Sequence, residues 1–420
     1  MENRHINNSK FLSYAFIALP VAFSGIPIYI FIPDYYHFEY GLSLSVLSLS
    51  LFFLRLIDAL IDPVIGSICD NYGNHKKTLL FGVGFIFCIG FWLLCFPVIP
   101  SILANLIIGV LLSTIGFSFF TIYVNTIGAL SQKLPENKAK LISIRESFTI
   151  LGILIASIIP FMLKNIFPII ISYILYALIF TSLLVISISL FYRWLLKQKN
   201  IFEKRRNTER LTIRCYLISM NRHGYYLFFS YAISSLGSAI PGVMLIFYSK
   251  YVLQSDAYTS LYLFLYFMGV ILGIPVVRYL SSKICIVKIW RCSIYMAIII
   301  FLGASLLYTG DIIQFSIISF LSGCFFSAEI ILPNLLLANF IDNPKRAKLG
   351  NGFYSLLAFL SKFSFALATI ISLPILQISL SENTPLTPIV TIKIIYCILP
   401  CMLKFIATLI LWRWEKCVLS

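Results

Sequence analysis

Asp58 and Asp62 stand four residues apart in RLIDALIDPVIGSICDNYGNHKK (residues 55–77), a stretch whose flanks are almost wholly apolar. On a helix at 100° per residue, Asp58 lies about 60° from Arg55 and Asp62 about 20° from it, so all three share one face. Two carboxylates one turn apart repel unless a cation or a proton lies between them. The pair is therefore suited to capturing Na⁺ or H⁺ and releasing it when the surroundings change. A structural ion pair between Arg55 and one aspartate is the plainer alternative, and it accounts for only one of the acids. Two further charges, Glu329 and Lys362, fall inside apolar runs, and Arg145 stands near the start of another. No nucleophile–base constellation or metal-ligand spacing accompanies them, so binding and coupling are expected here and enzymatic chemistry is not.

The elements that must position these charges are membrane helices. The chain has 420 residues, 60% of them hydrophobic and 11% charged, with a mean hydropathy of +0.95. Such a composition excludes a water-soluble globule with a polar surface. Apolar runs of roughly 20 residues, the length an ~30 Å hydrocarbon core requires, recur along the whole chain. Twelve spans are expected, near 11–34, 42–69, 78–98, 101–130, 141–164, 166–193, 225–251, 259–280, 284–308, 312–342, 350–378 and 388–412. The runs are continuous and show no barrel-type alternation, which predicts an all-α membrane protein. Residues 1–10 are polar and no small-residue cleavage site clearly follows the first run, so the first helix is expected to be retained. A charge at mid-membrane costs at least ~3 kcal/mol. The face bearing Asp58 and Asp62 must therefore turn from lipid toward a partner or a water-filled path.

The net charge of +16 is distributed in alternate loops, which argues against nucleic acid as a partner. His75, Lys76 and Lys77 follow span 2, and Lys133, Lys138 and Lys140 follow span 4. Arg278, Lys283, Lys288 and Arg291 surround the loop after span 8, and Lys345, Arg346 and Lys348 follow span 10. The intervening loops hold few bases. This positive-inside pattern predicts a multi-pass protein of the inner (plasma) membrane with both termini in the cytoplasm. The ten cysteines form no CxxC pair and fall mostly inside spans, as small packing residues would.

The one long polar segment, RWLLKQKNIFEKRRNTERLTIRCYLISMNRH (193–223), separates six spans from six. The expected organisation is an N-terminal bundle at 1–193, a basic cytoplasmic linker at 194–224 and a C-terminal bundle at 225–420. The linker's basic cluster is either a solvated connector or a contact for anionic lipid heads. SGIPIYIF (24–31) in span 1 and SAIPGVMLIF (238–247) in span 7 echo one another, in keeping with a duplicated architecture. Gly25, Pro27 and Pro33, and likewise Gly237, Pro241 and Gly242, are expected to bend these two spans or let them pack closely, so spans 1 and 7 are candidate cavity walls.

The pattern D-x-x-x-D-P-x-x-G-x-x-x-D, supplied by Asp58, Asp62, Pro63, Gly66 and Asp70, resembles the second helix of the glycoside-pentoside-hexuronide:cation symporters, a family of the major facilitator superfamily. GSICDNYGNHKK (66–77) is similar to the superfamily's loop signature, with Gly66, Asp70, Gly73, Lys76 and Lys77 in place. GLS (41–43), LISIRESF (141–148), AEIILPNLLLANFID (328–342) and LSKFSFALA (360–368) resemble family segments in order and spacing. The resemblance implies two six-helix bundles with a midplane site between them. It implies that Asp58 and Asp62 hold the coupling cation, that Lys362 reaches toward them, and that Asp70 holds one gate shut, although Asp70 as a simple helix end is also open. Arg145 falls on an arginine that helps bind sugar in the family's melibiose permeases, with a helix-end anchor paired to Glu146 as the alternative. Phe120 falls on an aromatic that stacks on the sugar. Ala22 and Gly116 stand where those permeases carry two sugar-binding aspartates, so cation coupling is implied more firmly than sugar recognition. Glu329 is open between a substrate ligand, a partner for Lys362 and a satisfied structural acid.

The function expected is cation-coupled symport of a small organic solute, a sugar or sugar acid, by alternating access, performed by a monomer in the lipid bilayer with no cofactor beyond Na⁺ or H⁺. A carrier of an amphiphile such as a lysophospholipid, or a non-transporting membrane receptor on the same fold, are the alternatives. With two acids missing and Arg145 and Lys362 present, an acidic solute is expected unless Glu146 or Glu329 already neutralises those bases.

Overall fold

The computed structural model describes residues 8–26, 28, 31–71, 76–164, 166–197, 219–255, 258–380 and 388–419, and no strand occurs among them. Pro27, Gly73, His75, Arg205, Asp256 and most of the basic linker lie outside the described residues. The helices are α1 (Asn8–Ala15), α2 (Ala18–Ile26), α3 (Ile32–Tyr40), α4 (Leu44–Asn71), α5 (Lys76–Cys95), α6 (Ile102–Ser131), α7 (Pro135–Lys164) and α8 (Ile169–Leu196). They continue with α9 (Arg222–Phe247), α10 (Thr259–Ser281), α11 (Ile286–Gly303), α12 (Ile312–Phe340), α13 (Pro344–Ala347), α14 (Gly350–Leu380), α15 (Pro388–Lys393) and α16 (Leu399–Leu419). Among the described residues, ten helical stretches are long and apolar enough to cross a membrane. The shortest of the single-helix spans still suits the bilayer, since each residue rises 1.5 Å.

Local chemistry sets where these helices begin and break. In the first expected span a turn at residues 16–17 separates α1 from α2; Pro20 lies in the first turn of α2 and Pro33 in the first turn of α3, positions where a missing N–H costs nothing. Gly41, at φ 70°, ends α3 in the left-handed conformation that favours glycine. α9 runs through Pro241 unbroken and passes into a π turn at Tyr248–Val252. α7 begins at Pro135, six residues before the apolar run, with Glu136 in its first turn. Lys138, expected in a loop, is therefore helical and fully buried, paired with Asp342.

The chain divides into two compact units, residues 1–217 with 341–358, and residues 218–340 with 359–420. In the first, aromatic rings fill the space between helices: Phe23 stacks on Tyr176 at 4.7 Å and Phe91 meets Phe180 at 4.2 Å. In the second, Tyr248 stacks on Tyr396 at 4.2 Å within a cluster that includes Phe315 and Tyr262. α10 and α12 cross closely because Gly269 and Gly273 on one and Gly323 on the other meet backbone carbonyls where any side chain would collide.

Candidate functional site

On α4 the exposed residues Leu49, Phe53, Ile57, Leu60 and Val64 form one stripe, and the opposite face carries the buried Leu47, Leu54, Asp58, Asp62, Ile65 and Cys69. The two acids thus sit in the middle of the buried face, as the cost of lipid exposure demands. Asp62 is fully buried, and Asp58 accepts a hydrogen bond from the Ser118 hydroxyl of α6 at 3.3 Å. Arg55 is partly buried one turn earlier. Pro63 lies inside α4 and cannot donate to the Ala59 carbonyl, which leaves that oxygen without its usual helical donor beside the acids. The locus therefore offers two carboxylates, a hydroxyl and a released carbonyl, which is oxygen chemistry suited to a small hard cation or a proton.

At the far end of α4, Asp70 faces the first turn of α14. Its carboxylate accepts the Asn351 backbone N–H at 3.1 Å, the Gly352 backbone N–H at 2.9 Å and the Asn351 side-chain amide at 2.8 Å. An anion on the unpaired N–H groups of a helix start is favoured by both hydrogen bonding and the helix dipole. Gly66, one turn earlier, lies against Ser355 and the Asn351 carbonyl, where a Cβ has no room. Lys138 and Asp342 add an ion pair to the same segment, residues 341–358. Lys76 and Lys77 open α5.

The remaining expected residues of the first unit are held by pairing and packing. Arg145 is buried on α7 and its guanidinium is paired with Glu146. With that partner beside it, the charge excess that made Arg145 a reason to expect an acidic solute is gone. Phe120 is fully buried, with its ring against Phe119 and near Phe87, and offers no face to a ligand in this conformation. Gly116 has its place through packing, since a side chain there would run into the Phe87 ring. Lys362 is partly buried on α14 within the second unit. An apolar groove lined by Phe85, Cys88, Trp92, Thr181, Leu184 and Ile188 lies between α5 and α8 and carries no charged lining residue.

Glu329 has a partner the sequence reading missed. Its carboxylate accepts from Lys404 of α16 at 2.5 Å, from Ser234 of α9 at 2.6 Å and from Ser238 of α9 at 3.1 Å. Lys404 was detectable by the rule applied to Lys362, because it also lies deep in an apolar run. Ser118, Ser234 and Ser238 carried no such signal, since serine is common in membrane helices.

Among the described residues, ten long apolar helices packed around buried charges mark a multi-pass membrane protein. The chain belongs to the MFS/sugar transport protein family, which matches residues 13–415. Among solved structures it is similar to a bacterial homologue of the iron transporter ferroportin in an outward-facing state, at 14% identity and a TM-score of 0.68, covering 97% of this chain and 99% of the other. It is also similar to the major facilitator transporter FucP in the outward conformation, at 13% identity and a TM-score of 0.67 over 97% and 98% of the two chains. The proton:xylose symporter XylE matches at 12% identity and a TM-score of 0.65, over 97% and 94%. At these identities the likeness establishes the twelve-helix fold. No curated protein matches the chain in sequence.

Proposed function

We propose that the chain is a secondary active transporter that couples a cation, Na⁺ or H⁺, to the uptake of a small organic solute, a sugar or sugar acid, by alternating access. The observation that carries this reading is the carboxylate pair on the buried face of α4, one turn apart, with the Ser118 hydroxyl on Asp58. A cation or proton there neutralises the pair and lets the surrounding helices close around it. Solute affinity then rises with cation occupancy and, by reciprocity, cation affinity rises with solute. The family, and neighbours whose names include fucose and xylose symporters, favour a sugar-like solute over a lysolipid. A thermal-shift screen of the purified protein against sugars, uronides and lysolipids, with and without Na⁺, tests the reading. A solute whose stabilisation depends on neither Na⁺ nor pH would refute coupling.

From the charge bias of the loops we further infer an inner-membrane protein with both termini in the cytoplasm. In a cysteine-free background, Arg346→Cys is expected to react with an impermeant thiol reagent only from the cytoplasmic side and Asp311→Cys only from outside. Labelling of both from one side would reject the arrangement.

Arg145 and Glu146 form a buried pair, so removing Arg145 takes the paired counter-charge from Glu146. Arg145→Ala is expected to lose about 3–5 kcal/mol of stability, and Arg145→Met with Glu146→Gln to recover most of it. Thermal unfolding in detergent reads both. If Arg145 is instead a solute ligand, Arg145→Ala lowers solute affinity with little change in melting temperature.

A further inference from the structure

On α16, Met402, Phe405, Ile406, Leu409 and Trp412 are exposed, whereas Lys404 lies on the opposite face with the buried Cys401, Thr408 and Leu411. The lysine therefore points into the second unit rather than to lipid. Gly237 of α9 makes room for it: a Cβ there would stand 3.0 Å from the Lys404 Cγ, so the bare backbone lets the stem cross and aims the ammonium at Glu329. Ser234 and Ser238, one turn apart on α9, hold one carboxylate oxygen and the ammonium holds the other. Tyr266 of α10 and Cys401 of α16 are the titratable groups near enough to interact with the pair. α14 brings Ser364, bonded to Ser235 at 2.7 Å, and α11 brings the Ile298 carbonyl to Cys401.

The two partners are held unequally. Glu329 keeps two hydroxyl donors if the lysine leaves, and a hydroxyl can serve a carboxylate or a carboxylic acid equally well because it both donates and accepts. Lys404 makes one hydrogen bond among the described residues, to Glu329, although an ammonium has three donors. Its side chain is 12% exposed against 6% for Glu329, so the lysine is the more accessible partner of the two. An ion pair so deep in a membrane protein is costly compared with apolar packing, which points to use rather than stability.

We infer that Lys404 is the ligand for an anionic group of the carried solute, a carboxylate or phosphate, and that Glu329 is the counter-ion it exchanges. When the ammonium moves to the solute, Glu329 is left charged in a low-dielectric site and takes one proton from water onto its carboxylate. The net event is one anion and one proton bound together. Each ligand then strengthens the other, which makes this pair a second coupling point beside Asp58 and Asp62. The inference rests on the transport reading for its purpose, but its test does not require transport.

The probes are acetate and its neutral isostere acetamide, read by thermal shift on the purified full chain between pH 6 and 8, where acetate stays ionised. Acetate is expected to stabilise the wild type with an affinity that rises about tenfold per unit fall in pH, since one proton enters with it. Glu329→Gln should bind acetate more tightly and without pH dependence, because the lysine has lost its competitor. Lys404→Met, and the double variant Glu329→Gln with Lys404→Met, should not respond, and acetamide should act on none of them. The double variant removes both charges together and so controls for misfolding. Equal acetate responses in Glu329→Gln and Lys404→Met, or none in either, would overturn the inference and leave a structural ion pair. Loss of uptake in the α4 variants, with these binding results intact, would separate the coupling reading from this one.

Discussion

Replacing Asp58 and Asp62 together by asparagine is expected to abolish uphill uptake while raising the stability of the protein. The amides occupy almost the same space, and the Asp58→Asn side chain can still accept the Ser118 hydroxyl that reaches Asp58 at 3.3 Å. What they lose is charge, and with it the ability to hold Na⁺ or carry H⁺. Each buried carboxylate at mid-helix costs about 3 kcal/mol on the gentler insertion scale, so two neutral amides are cheaper to hold on the buried face than two carboxylates. Solute binding and downhill exchange are expected to survive with weakened cation dependence. Proteoliposomes loaded against a Na⁺ or pH gradient read accumulation, and the melting temperature is taken on the same preparation. Ser118→Ala should show a milder form, an approximately fivefold weaker cation affinity for a hydrogen bond worth about 1 kcal/mol. Normal accumulation by the double variant would reject the cation site; loss of transport with a lowered melting temperature would mean that the acids serve the fold.

The expected spans fall on real helices because burial in lipid leaves a continuous apolar signature that tertiary packing does not override. Span boundaries shifted where a charged first turn precedes the apolar run, as at Pro135 of α7, since hydropathy is blind to helix that lies outside the hydrocarbon. The turn at residues 16–17, between α1 and α2, falls inside the first apolar run and just before Pro20, and hydropathy carries no mark of it. Proline alone does not decide, because Pro63, Pro241 and Pro333 all lie inside unbroken helices. For the site, the buried face of α4 was readable from the spacing of Arg55, Asp58 and Asp62, because one helix fixes the geometry of its own residues. Partners from other helices were not. Glu329 was seen and Lys404 was not, and the pairing of Arg145 with its neighbour Glu146 stood only as an alternative. The grouping of residues 341–358 with the first unit depends on Asp70 and Lys138, which lie more than 200 positions away along the chain.

Asp70→Asn and Gly66→Ala are expected to loosen the first turn of α14 from α4 by different physical routes and to the same end. Asparagine keeps one acceptor oxygen but turns an amide toward the N–H groups of Asn351 and Gly352, and it no longer opposes the positive end of the helix dipole. Losing charge-assisted bonds of this kind costs about 2 kcal/mol, which is roughly a thirtyfold shift in an equilibrium. At Gly66 the added methyl meets the Ser355 side chain and the Asn351 carbonyl, both buried, so one helix has to move away. If Asp70 gates the alternating-access cycle proposed above, this contact exists in one conformation only, and either change raises the population that lacks it. The reporter is Ser355→Cys in a cysteine-free background, shielded in the parent because Ser355 is 1% exposed. Its labelling rate is expected to rise about thirtyfold with Asp70→Asn and at least as much with Gly66→Ala, while uptake falls in both. Because the two changes break one contact, the double variant should label little faster than the stronger single, a non-additivity that two independent destabilisations would not produce. Unchanged labelling in both single variants would show that residues 341–358 stay on α4 throughout the cycle, and that Asp70 caps a helix without gating it.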